Sequence, residues 1–143
     1  MGRSIREVVK AIDALESVET EDDLSRLQEL ADQYFASRQA AKHLEVWFRL
    51  YERFPEDGDE VFWTILHGIE AQAGSDEHVV ASVHRKPSQF PVLMINRMLN
   101  AEINAVDGMD LLGLLRAVAA DKTCPASVRE QAKGYLKHQS ERG

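Results

Sequence analysis

The chain of 143 residues is 44% apolar, holds one cysteine and carries a formal net charge of −7 at pH 7. That length fits one domain over 1–143 with room for a core, and the lone Cys124 excludes an internal disulfide or a cysteine-pair zinc site. Charge is unevenly shared: residues 1–77 hold 18 Asp and Glu against 8 Lys and Arg, a net of −10, whereas residues 78–143 hold 6 against 9, a net of +3, and an acidic half disfavours nucleic acid and anionic membrane and steers towards something basic.

Ser4 and Glu7 make an S-x-x-E capping box, with Ile5, Val8, Val9, Ile12 and Leu15 at helical spacing. Thr20 and Asp23 mark a second start, with Leu24, Leu27, Leu30, Ala31 and Tyr34 behind them. A third helix is predicted from about Gln39 to Phe54, stopped by Pro55 and followed by an Asp57-Gly58 turn. The fourth starts near Asp59 and ends at Gly74. Ser75 is the expected cap of a fifth that Pro87 terminates, and Pro91 suits the first turn of a sixth reaching about Asn100. Gly108 and Asp110 precede a seventh, rich in leucine (Leu111, Leu112, Leu114, Leu115). Pro125 opens the eighth, with Val128, Ala132, Tyr135 and Leu136 inward.

No window shows period-two alternation between hairpin turns, so no strands are expected. No apolar run approaches the roughly 20 residues of a membrane span, and Met1 to Lys10 has no apolar leader core. With a single cysteine, these features favour a cytoplasmic setting. The expected fold is all-α: about eight antiparallel helices joined by short loops and stacked in pairs. The apolar positions of the third helix, Ala40, Leu44, Val46, Trp47, Phe48, Leu50, Tyr51 and Phe54, cover more than half its girth. Such a helix is sandwiched between neighbours, not laid on a surface. The last pair, Leu111 to Ala120 followed by Pro125, Val128-Arg129, Ala132 and Leu136, resembles one HEAT repeat. The resemblance implies a HEAT-like, irregular solenoid.

The fourth helix carries the main candidate site. Val61, Phe62, Ile65, Leu66 and Ile69 form one face, and Trp63, His67 and Glu70 lie opposite, at spacings of four and three that let each pair touch. A tryptophan off the apolar stripe, beside acids and a histidine, suits a protein interface; cover by another helix, with Glu70 holding the His67 ring, suits the same pattern. Two potential ligands three apart make no metal site, and no nucleophile–base pair is visible around Cys124. No cofactor and no catalytic residue is therefore expected. The loop Glu56, Asp57, Asp59, Glu60 lacks the calcium-loop order. It reads either as a solvated helix start or as a docking surface for a basic partner. Glu16, Glu19, Glu21, Asp22 and Asp23 form a second acidic cluster. On the sixth helix, Asn96, Arg97 and Asn100 group around Leu93, away from Met94, Ile95, Met98 and Leu99. Asparagines four apart suggest side-chain ties to a neighbour, and Arg97 has a possible partner in Glu70. Arg129, Lys133 and Lys137 form a row too short for nucleic-acid binding.

The stretch Phe62 to Glu70, then Pro87-Ser88-Gln89-Phe90 and Met94 to Asn100, resembles the all-helical immunity proteins of bacterial polymorphic-toxin and contact-dependent inhibition systems. In these a W-x-x-x-H-x-x-E-like helix precedes a P-S-x-F segment and an N-R-x-x-N helix. The resemblance spans roughly residues 40 to 137. It implies a protein without activity of its own, which binds a cognate toxin domain in the cytoplasm and blocks its active site or substrate access. The acidic bias fits a basic toxin such as a nuclease. The partner-binding residues are then Glu56, Asp57, Asp59, Glu60, Trp63, His67 and Glu70. A HEAT-like scaffold or adaptor without a toxin partner is the competing reading, because fold alone does not assign function.

Overall fold

The computed structural model describes residues 4–57 and 59–142. Gly58 of the expected Asp57-Gly58 turn and the first three residues of the Met1 to Lys10 stretch lie outside them. Among the described residues the chain forms eight α-helices: α1 (Ile5–Asp13), α2 (Glu21–Phe35), α3 (Glu45–Arg53), α4 (Glu60–Glu70), α5 (Ser75–Arg85), α6 (Gln89–Asn100), α7 (Leu111–Ala120) and α8 (Ala126–Arg142). A two-stranded ribbon, β1 (Ala105–Val106) and β2 (Met109–Asp110), separates α6 from α7. None of these helices is long and apolar enough to cross a membrane.

The helices form two rows. α1, α3, α5 and α7 pack successively in one, and α2, α4, α6 and α8 in the other. The pairs α1–α2, α5–α6 and α7–α8 close across the rows, the last most extensively. This is the expected all-α, HEAT-like stack. Its starts are written locally. Ser4 and Thr20 each complete a reciprocal capping box, with Glu7 and Asp23. Asp59 and Asp110 accept from Val61 N and Gly113 N. Such caps contribute about 1 kcal/mol each.

The core is one continuous cluster running from Val8 to Ala132. Trp47, Phe48, Leu50 and Tyr51 of α3 are all buried, as the broad apolar girth of that helix requires. Polar ties join neighbours within the odd row. Arg49 grips Asp13 through two bonds of 3.0 and 2.9 Å, and Arg53 donates to the carbonyls of Ile12 and Leu15 at the end of α1. Glu52 of α3 accepts from Ser82 and Arg85 of α5.

Four local expectations need correction. α4 ends at Glu70, with Ala71 as its C-cap, and not at Gly74. The third helix begins at Glu45, not near Gln39, and Ala40–Lys42 is a separate 3-10 turn. The Ala40 carbonyl accepts from the buried Tyr34 hydroxyl instead of serving a continuing helix, and His43 leaves helical geometry at φ −131°, ψ 25°. Ser75 is not the cap of α5 but its first, buried residue; Gly74 caps it in the left-handed region at φ 80°. The region before α7 is not strand-free. Asp107 and Gly108, both at positive φ, form a two-residue hairpin turn between β1 and β2. Asp-Gly is the favoured dipeptide for that turn.

Candidate functional site

Row by row stacking places α4, α6 and α8 side by side, and their outward faces make one surface. On α4, Asp59 caps the helix, Glu60 follows in its first turn, and Trp63, His67 and Glu70 point away from Phe62, Ile65, Leu66 and Ile69. Trp63 is the one large apolar side chain exposed among the described residues, at 41%.

It does not stand free. The indole packs edge-on against Phe90 of α6, with centroids 5.3 Å apart. Phe90 is buried and stacks at 5.3 Å on Tyr51, with Phe62 edge-on at 5.6 Å. The Tyr51 hydroxyl donates to the Phe62 carbonyl at 2.9 Å. A chain of aromatic contacts thus runs from the surface into the core, and each such pair adds about 0.5–1.5 kcal/mol beyond its burial. The indole is thus held in place from beneath while one side stays exposed. Its ring borders a groove of about 320 Å³ lined also by Gln89, Phe90, Leu93, Gln131 and Tyr135. Tyr135, expected inward, is half-buried and lines this groove.

His67 lies next along the face, its ring centroid 6.4 Å from that of Trp63 and its side chain 64% exposed. Its Nδ1 is 4.0 Å from Glu70 Oε1, outside hydrogen-bond distance. Glu70 instead binds Arg97 of α6 through two bonds of 2.8 Å. Asn96 and Asn100 both accept from Gln139 of α8, at 2.7 and 2.9 Å, and Arg142 donates to the Leu99 carbonyl. These polar groups hold α6 to its neighbours within the even row.

The acidic loop sits at the other end of the same face. The Gln89 backbone amide donates to the Pro55 carbonyl at 2.8 Å, so the loop abuts one wall of the Trp63 groove. Glu56 is partly engaged, accepting from the Ser127 hydroxyl at the start of α8. Asp57 is half-buried. Burial first, then the carboxylates of Glu19, Glu56 and Asp59, hold its carboxyl above the ordinary value. Glu19, from the other acidic cluster of the sequence, is one of these carboxylates. Glu60 remains exposed, one helical turn before Trp63.

Sequence reasoning thus located α4 and its acidic start but missed the groove, because Phe90, Leu93, Gln131 and Tyr135 come from two other helices. The available signal was Gln131 and Tyr135 four apart on a helix that is otherwise weakly apolar. Among the described residues no three His, Cys, Asp or Glu side chains group to hold a metal ion. Burial, then Asp121, push the Cys124 thiol up, away from the thiolate a nucleophile needs. No protein-family model matches the chain, and neither a curated protein nor a solved structure matches it.

Proposed function

We propose that the chain is an immunity protein, which acts in the cytoplasm by binding a cognate basic toxin domain, such as a nuclease, and blocking its active site or substrate access. The observation that carries the reading is Trp63. An exposed indole, braced from beneath by Phe90 on a helix that Asp59 and Glu60 begin, has the make-up of an interface hot spot with a charged rim. Such a rim accelerates encounter with a basic partner, and the desolvated aromatic sets the lifetime of the complex. The W-x-x-x-H-x-x-E, P-S-x-F and N-R-x-x-N pattern supports the same reading. In it the protein is no enzyme and inhibits by occupancy.

The test is co-expression in a bacterial host with the C-terminal domain encoded directly upstream. Restored growth together with a stable complex is the expected outcome. A toxic upstream domain that the chain neither binds nor neutralises overturns the proposal. The two-row helical stack also suits a scaffold or adaptor; recovery of a non-toxic cellular protein on the Trp63 face would favour that role.

A further inference from the structure

The odd row carries a groove of its own, about 480 Å³, lined by Asp13, Arg49, Glu52, Arg53 and Lys86. Two of these are acids, and both are already matched. Arg49 donates to both oxygens of Asp13 through Nε and Nη2. Glu52 accepts from Arg85 at both oxygens and from Ser82 at one. Arg53 has no such carboxylate. Its Nη1 and Nη2 donate to the carbonyls of Ile12, Asp13 and Leu15, and its Cζ lies 5.5 Å from the centre of the Phe54 ring. Those carbonyls supply dipoles at the end of α1, not a formal charge. Burial holds the Arg53 guanidinium below its ordinary value; Asp13 opposes this and Arg49 adds to it. Lys86 follows α5 in an extended conformation, φ −158° and ψ 94°, as suits the residue before Pro87. It is exposed and has no ion-pair partner among the described residues.

Four cations at or beside the groove, Arg49, Arg53, Arg85 and Lys86, thus stand against two carboxylates, Asp13 and Glu52. The surplus is two positive charges, in a chain whose net charge is −7. Donors are left over as well. Arg49 Nη1, Arg53 Nε and Lys86 Nζ make no hydrogen bond among the described residues. Arg49 and Arg53 are one turn apart on α3, and Lys86 comes from the end of α5. A carboxylate or a phosphodiester brings one negative charge and leaves one cation unmatched. A phosphate monoester brings close to two, with three oxygens that accept charge-assisted bonds. We infer that the Arg49–Arg53–Lys86 groove binds a phosphate dianion, either free or as a monoester on a side chain. The groove shares no lining residue with the Trp63 face, so the inference goes beyond the immunity reading and does not rest on it.

The test titrates the full ¹⁵N-labelled chain at constant ionic strength and about pH 7.5, where a monoester is a dianion. The probes are inorganic phosphate, N-acetyl-phosphoserinamide, dimethyl phosphate and acetate. Inorganic phosphate should shift the backbone amides of Arg53 and Lys86 saturably, at roughly tenfold lower concentration than dimethyl phosphate or acetate. The Trp63 indole should stay unmoved. A tighter response to N-acetyl-phosphoserinamide would support the groove as a seat for a phosphorylated side chain, and a tighter response to inorganic phosphate as a seat for the free ion. Lys86→Gln alters an exposed side chain without bonds of its own, so it should keep the fold and weaken the phosphate response roughly tenfold. Equal responses to phosphate and either monoanion would reduce the groove to a general charge effect and overturn the assignment. So would the lack of a saturable phosphate response, or a Lys86→Gln variant that binds phosphate as the parent does.

Discussion

Arg97 meets Glu70 through two parallel bonds, Nε to Oε2 and Nη2 to Oε1, both at 2.8 Å, and so fastens α6 to α4 on the outward face of the stack. The pair engages the carboxylate that stands 4.0 Å from His67 Nδ1. Both partners are about one-third exposed or more, at 31% and 40%, so solvent screening limits what the pair contributes. A double-mutant cycle on Glu70→Gln and Arg97→Gln should give a coupling of about 0.5–1 kcal/mol in urea unfolding at moderate salt. The coupling should fall further in 1 M salt. A coupling of several kcal/mol would mean that the pair is shielded from water.

In the proposed complex, Trp63→Ala should leave the free protein folded and speed dissociation by a factor equivalent to about 2 kcal/mol. Reversal of Asp57 and Asp59 to Lys should slow association, most strongly at low salt. Surface plasmon resonance separates the two rates. Association unchanged at every salt concentration would remove the acidic loop from the interface.

Gly68 of α4 faces the ring of Phe35 at the end of α2. A Cβ added there would lie 2.6 Å from ring atoms of Phe35, well inside contact distance. Phe35 cannot easily yield, because it stacks on Trp47 at 5.5 Å and meets Tyr34 edge-on at 4.9 Å. Gly68→Ala should therefore destabilise the fold by about 1–3 kcal/mol, despite the better helix propensity of alanine. Adding Phe35→Leu should recover part of the loss. Thermal unfolding of the single and the double variant beside the parent checks this.

Asp57 links stability to pH. Its folded-state carboxyl is raised above the ordinary 3.8 by burial and by Glu19, Glu56 and Asp59. The folded chain therefore holds this proton more tightly than the unfolded chain, and the ionised form weakens the fold at neutral pH. Asp57→Asn should raise the Tm at pH 7. The gain should shrink as pH falls through the raised folded value and vanish below 3.8. A gain that persists at pH 3 would point to a cause other than charge.

Helix starts and the outward set of α4 were legible in the sequence because both depend on neighbours within four residues. Ser4 with Glu7 and Thr20 with Asp23 interact within one helix start, and Trp63, His67 and Glu70 share one face of a single helix. The Asp107-Gly108 turn was equally local, and its dipeptide signalled it; the strands it joins are two residues each, too short to show alternation. The early end of the predicted third helix was not legible. It depends on the Tyr34 hydroxyl arriving from α2 to take the Ala40 carbonyl. The groove at Trp63 belongs to the same class. Phe90, Leu93, Gln131 and Tyr135 reach it only because α4, α6 and α8 lie in one row. Periodicity reports which face of a helix is apolar, but not which helices stand beside it. The sequence by itself determined the number and order of the helices, the caps of α1, α2 and α4, and the buried faces, through short-range spacing. Tertiary packing alone decided that Glu19 acts on the Asp57 carboxyl, that Arg97 takes Glu70, and that Trp63 of α4, Phe90 and Leu93 of α6, and Gln131 and Tyr135 of α8 form one groove.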